Sequence, residues 1–240
     1  PAEWGYAYID QHEKPSNTVK IYAFRPDRLS EPVMVHEIKH TTESGYFGTF
    51  IALSPNGEYI AGAARLNSNY EIRIVSLRTG TLETILDVEN MWGVGGLGLS
   101  NYPDVFMEWS PDSQKLAYYY ELPSPIDARI IRDIWVYDLS TKRNFNLSPD
   151  RATQYRIAWD PQSYRIATIS TECSPKCTNQ IDIFSVPDRW AADSARITAL
   201  DSPLGLEVAC LLAWSPDGRF LLYRVNCNTP MWGYFQEMFV

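Results

Sequence analysis

Apolar and polar residues alternate along most of the chain, as in Ile72-Arg73-Ile74 and Ile181-Asp182-Ile183, the period-two pattern of a half-buried strand. Between such runs a four-residue turn recurs: Ser54-Pro55-Asn56-Gly57, Ser110-Pro111-Asp112-Ser113, Asp160-Pro161-Gln162-Ser163 and Ser215-Pro216-Asp217-Gly218. Each copy follows an apolar run ending in Leu53, Trp109, Trp159 or Trp214, and each precedes a second apolar run. The turn therefore joins two strands: proline presets its first dihedral and glycine tolerates positive φ. No segment carries an i, i+3, i+4, i+7 stripe long enough for a stable amphipathic helix. The best helical candidate, 189–195, is short, so almost no helix is expected.

The turn prolines lie 56, 50 and 55 residues apart, and one more step back, of 54, lands on Pro1. A period near 50 predicts propeller blades. Within each period four strands can be read. Strand A ends at the turn (48–53, 105–109, 155–159, 208–214), and strand B follows it (5–9, 59–65, 115–121, 165–170, 219–225). Strand C comes next (19–24, 71–77, 133–139, 180–186), then an outer strand D such as 82–86. This predicts an all-β fold: a single β-propeller domain, 1–240, of four-stranded antiparallel blades at roughly 1–40, 46–87, 104–148, 153–200 and 206–240. The first blade lacks strand A. The last stops in a strand C at 234–240, so the five visible blades are read as part of a larger propeller.

The turn and its flanks resemble the TolB-like propeller repeat: a strand ending in Trp, then Ser-Pro-Asp-Gly, an apolar strand, and a strand ending in Asp. Trp214-Ser215-Pro216-Asp217-Gly218 matches best, with Trp109-Ser110-Pro111-Asp112 and Asp133-Ile134-Trp135-Val136-Tyr137-Asp138 beside it. The Asp160 turn reads as degraded, and Leu53 replaces the Trp. The resemblance extends to propellers that precede prolyl oligopeptidase-type peptidases. It implies either a non-catalytic scaffold that binds a protein or peptide, or the gating part of a larger serine hydrolase whose catalytic domain lies outside this chain. It also implies an extracytoplasmic location, periplasmic or secreted.

Composition narrows the partner. A net charge of −8 without a basic run argues against nucleic acid, and no stretch is apolar enough to form a transmembrane helix. Connections A to B and C to D are tight, whereas those at the other end are long: 10–18, 87–104, 122–132 and 171–179. Binding residues concentrate on such loops. The partner is therefore placed against Met91, Trp92, Tyr102 and Asp104 of one loop and Asp127, Arg129 and Arg132 of another.

Catalytic groups are scarce. Gly93, Gly95 and Gly98 satisfy G-x-G-x-x-G, but no helix opens after them, so a dinucleotide is not expected. No H-E-x-x-H or G-x-S-x-G is present, and neither a cofactor nor a metal is expected. Glu108, on an inner strand, is the carboxylate placed near a central channel. Asn146-Leu147-Ser148 is a formal glycosylation sequon, weakened by Pro149. Cys173 and Cys177 flank a polar turn, and three readings stay open: a local disulfide, free thiols, or half of a zinc site.

Overall fold

The computed structural model describes residues 6–10, 18–25, 28–39, 46–66, 69–88, 105–120, 122–123, 130–149, 153–173, 177–186, 196–201 and 211–224. Among them every helix or strand assigned is a strand. The candidate helix at 189–195 and the strand expected at 234–240 lie outside the described residues. The chain divides into two compact units, 1–102 and 103–240.

In the first unit, β1 (Tyr6–Asp10), β2 (Thr18–Arg25) and β3 (Arg28–Lys39) form a three-stranded antiparallel sheet in sequence order. β4 (Tyr46–Leu53), β5 (Tyr59–Leu66), β6 (Asn69–Ser76) and β7 (Leu82–Val88) form a four-stranded one. Ile60, Ala61, Ala63, Ile72, Ile74 and Val75 of the second sheet are buried.

Among the described residues the second unit holds two four-stranded antiparallel sheets and two two-stranded ones. β8 (Val105–Trp109), β9 (Lys115–Tyr120), β12 (Ile134–Asp138) and β13 (Arg143–Asn146) form one, with a separate two-residue ladder of β10 (Leu122–Pro123) and β11 (Ile130–Ile131). The next is β14 (Thr153–Trp159), β15 (Arg165–Cys173), β16 (Cys177–Ser185) and β17 (Arg196–Asp201). The last pairs β18 (Leu211–Trp214) with β19 (Leu221–Arg224).

Because strand side chains alternate, the middle sheet, β14–β17, feeds two cores. From the middle sheet, Ile157, Trp159, Ile166 and Phe184 pack with Ala117, Tyr119, Ile134 and Val136 of the sheet before. Their alternates Ala158, Ala167, Ile169 and Ile181 pack with Leu212 and Trp214 of the sheet after. Ala117 and Ala167, in strand B of two successive blades, are fully buried and leave room for the next blade's indole, Trp159 or Trp214.

All four turns close alike. The first residue's carbonyl accepts the fourth residue's N–H at 2.8–3.0 Å, and the fourth residue has positive φ, from 61° at Ser113 to 72° at Gly57. In three copies the serine Oγ accepts the N–H five residues on, from Tyr59, Lys115 or Phe220, at 2.9 Å. There the third residue, Asn56, Asp112 or Asp217, accepts the N–H of Glu58, Gln114 or Arg219.

The Asp160 turn, read as degraded, is structurally intact. Asp160 Oδ1 accepts both N–H groups, Tyr164 at 2.8 Å and Arg165 at 2.9 Å. One carboxylate does what a serine and an Asx residue do elsewhere, and its Oδ2 also pairs with Arg165 Nε at 2.9 Å. Asp138 ends strand C in a similar way. Burial pushes its carboxyl up, but hydrogen bonds from Ser140 and Thr141 outweigh this and hold it below the usual range.

Successive blades of the second unit are joined by a repeated bond. Trp159 Nε1 donates to the carbonyl of Glu108, and Trp214 Nε1 to that of Ala158, each at 3.0 Å. The acceptor is in both cases the residue before the preceding blade's Trp. The turns also meet: Asp112 N–H donates to Ser163 Oγ at 3.1 Å, and Arg165 Nη2 donates to the Gly218 carbonyl at 2.8 Å. The Arg165 guanidinium lies 4.5 Å from the centre of the Trp214 ring.

Trp159→Phe, which keeps most of the apolar bulk and deletes the bond to Glu108, is expected to lower stability by about 1–2 kcal/mol in urea unfolding. Asp160→Ala removes the acceptor of two part-buried N–H groups and the partner of Arg165, and should cost more, about 2–3 kcal/mol.

Candidate functional site

Antiparallel order puts the A–B and C–D turns of a blade at one end and the B–C and D–A connections at the other. The bonds between turns lock the first end across the three sheets of the second unit. Two connections expected to be long loops at the other end are partly strand. The 122–132 segment carries the β10–β11 ladder, with Leu122 opposite Ile131. The 171–179 segment belongs almost wholly to β15 and β16, which pair without a break from Arg165↔Ser185 to Cys173↔Cys177, leaving only 174–176 between them. Strand pairing continues there because Thr171, Glu172, Thr178 and Asn179 each have a cross-strand partner, and the proline of the segment sits at 175, between the strands.

Of the residues assigned to the partner, Met91, Trp92, Tyr102, Asp104, Asp127 and Arg129 lie outside the described residues. Arg132 is half-buried just before β12. Its neighbour Asp133 accepts a hydrogen bond from Asn146 Nδ2 at 2.7 Å, so the amide of the formal sequon is already engaged. Cys173 and Cys177 stand directly opposite at the end of the β15–β16 hairpin. Of the histidines, His36 lies in the outer strand β3, while His12 and His40 fall outside the described residues. Among the described residues no group of three or more His, Cys, Asp or Glu side chains is placed to hold a metal ion.

Two polar features stand out. Thr168, Ser170 and Asp182 are fully buried, and Ser170 Oγ donates to Asp182 Oδ2 at 2.6 Å. By strand parity they continue the face that carries Ile166 and Phe184, so the apolar core gives way to a polar seam toward the hairpin tip. Thr168 and Ser170, two polar residues at period two, were its signal in the sequence. The second feature is Arg156 in β14, the first strand of its sheet. Tyr155 pairs with Ile169 and Ile157 with Thr168, so Arg156 bulges out, exposed, at φ 63°.

Glu108 lies in β8, the edge strand of its sheet, opposite Ala117. Burial pushes its carboxyl up to about 7, while the Trp159 backbone N–H that donates to it pulls the other way. The same two residues therefore meet twice, through the indole and the Glu108 carbonyl and through the peptide N–H and the Glu108 carboxylate.

A carboxyl raised on folding binds more protons in the native state than in the unfolded one. Its contribution is full below the unfolded value near 4.5 and is lost as pH rises through about 7. Glu108→Gln is expected to flatten that fall, gaining about 1 kcal/mol per pH unit over wild type across the window in pH-dependent urea unfolding. At the bulge, Arg156→Gly should stabilise by about 0.5–1 kcal/mol by relieving positive φ, against the loss that glycine brings to an ordinary strand position.

No protein-family model matches the chain, and no curated protein matches it in sequence. Solved structures do match by fold. TolB from Acinetobacter baumannii aligns with a TM-score of 0.53 at 18% identity, over 92% of this chain and 47% of that one. Oligogalacturonate lyase from Vibrio parahaemolyticus aligns at 0.57 and 12%, over 93% and 58%. KlAtg21, solved in complex with the coiled coil of AgAtg16, aligns at 0.55 and 14%, over 93% and 61%. The chain spans about half the length of these proteins. With the repeated turn, the indole bonds and the four-stranded antiparallel sheets, these likenesses establish the fold: the chain is built of β-propeller blades.

Proposed function

We propose that the chain is a non-catalytic propeller scaffold that holds a protein or peptide at the end of its blades opposite the locked turns. The observation that carries this reading is the difference between the two ends. At one, short turns are bonded within and between blades; at the other stand the β15–β16 hairpin and the β10–β11 ladder, and to that end we also assign the 89–104 connection. A rigid base with elaborated segments on one side suits recognition. The net charge of −8 favours a basic partner over a nucleic acid. KlAtg21 with its bound coiled coil is an instance of the fold holding a protein segment. We place the protein outside the cytoplasm, following its likeness to TolB.

The test is a random peptide display selected on the immobilised full chain, with selected peptides then measured by calorimetry. Met91→Ala with Trp92→Ala in the 89–104 connection should weaken binding about tenfold or more. Asn56→Ala and Arg78→Glu at the turn end should leave it unchanged. The reverse pattern, or no peptide selected, overturns the reading.

A further inference from the structure

The hairpin of β15 and β16 decides between the three readings left open for Cys173 and Cys177. Val186 N–H donates to the Tyr164 carbonyl at 2.7 Å, which makes Tyr164 and Val186 a hydrogen-bonded pair. Pairing then runs without a bulge from Arg165↔Ser185 to Cys173↔Cys177. Hydrogen-bonded and non-hydrogen-bonded pairs alternate in an antiparallel ladder, so every even-numbered residue of β15 is in the first class and every odd-numbered one in the second. Cys173 and Cys177 are a non-hydrogen-bonded pair, the class whose Cα atoms lie about 4.5 Å apart with their side chains closest. That falls inside the separation of about 4.4–6.8 Å that a disulfide spans.

We infer that Cys173 and Cys177 form a disulfide that clips the end of the β15–β16 hairpin. A directly opposed pair at that separation is within reach of a bridge, whereas a zinc site would need two further ligands. Each thiol gives up its proton, the two sulfurs bond, and the electron pair passes to an exchanging disulfide such as oxidised glutathione, which leaves as two thiols. The clip fixes the last cross-strand pair before residues 174–176, at the blade end assigned above to the partner.

The sequence supplies its own assay, because Lys176 lies between the two cysteines. After the full chain is equilibrated with oxidised glutathione and its remaining thiols alkylated, trypsin cuts behind Arg165, Lys176 and Arg189. Peptides 166–176 and 177–189 are then held together by the disulfide alone. Mass spectrometry is expected to find them joined, short of two hydrogens, and separate after reduction; Cys173→Ser should separate them without reduction. Both cysteines alkylated before reduction, or 166–176 joined to a peptide carrying Cys210 or Cys227, would overturn the inference. In the clipped form, backbone amide exchange at 171–173 and 177–179 should be about tenfold slower than in the reduced form, and equal rates would also overturn the clip. No partner enters this map, so its failure is distinct from a failure of the binding reading.

Discussion

The blades of the second unit hang on one hydrogen bond used repeatedly: an indole N–H reaching back to the carbonyl before the previous indole. Its geometry requires a tryptophan at the last position of strand A, because only there does the ring span the gap between sheets with its nitrogen over the neighbouring strand. It also requires a small residue beneath the ring, which Ala117 and Ala167 provide in the same cores. The turn that follows must then reverse the chain at once, and its hydroxyl or carboxylate oxygen meets the N–H of the returning strand. At both described junctions strand end, small residue and turn meet around that one contact.

What could be read before the structure tracks this constraint. The strands, the turns and their order are legible because prolines, alternation and terminal tryptophans are local signals. The Asp160 turn misled because the letters Asp-Pro-Gln-Ser hide a change in which residue accepts which N–H. The hairpin at 171–179 misled because its polar residues look like a loop, while their cross-strand partners keep them in register. Arg156 was invisible for a related reason: a bulge depends on the partner strand's count, which no single strand records. Of the residues assigned to binding, most belong to connections whose conformation no repeat dictates.

Glu108 shows how a junction between blades can carry a titrating group. Its backbone is fixed by the repeat, since any residue there offers the same carbonyl to Trp159. Ala158 fills the equivalent position one blade on. Only the side chain is particular to this blade, and burial beside Trp159 sets its protonation near neutrality. A titrating group is thus built into the packing between two blades.

The carboxylate at Asp160 has a wider consequence. By taking both backbone N–H groups it releases Gln162 from the turn, and that side chain rests against Gly218, where an added methyl would lie 2.6 Å from Gln162 Oε1. Gly218 keeps the positive φ of 69° that the fourth position of every copy of the turn adopts, with Gln162 of the preceding turn beside it. A change at Asp160 would therefore be felt in two turns: its own, through the N–H groups of Tyr164 and Arg165, and the next, through the Arg165 guanidinium that bonds the Gly218 carbonyl.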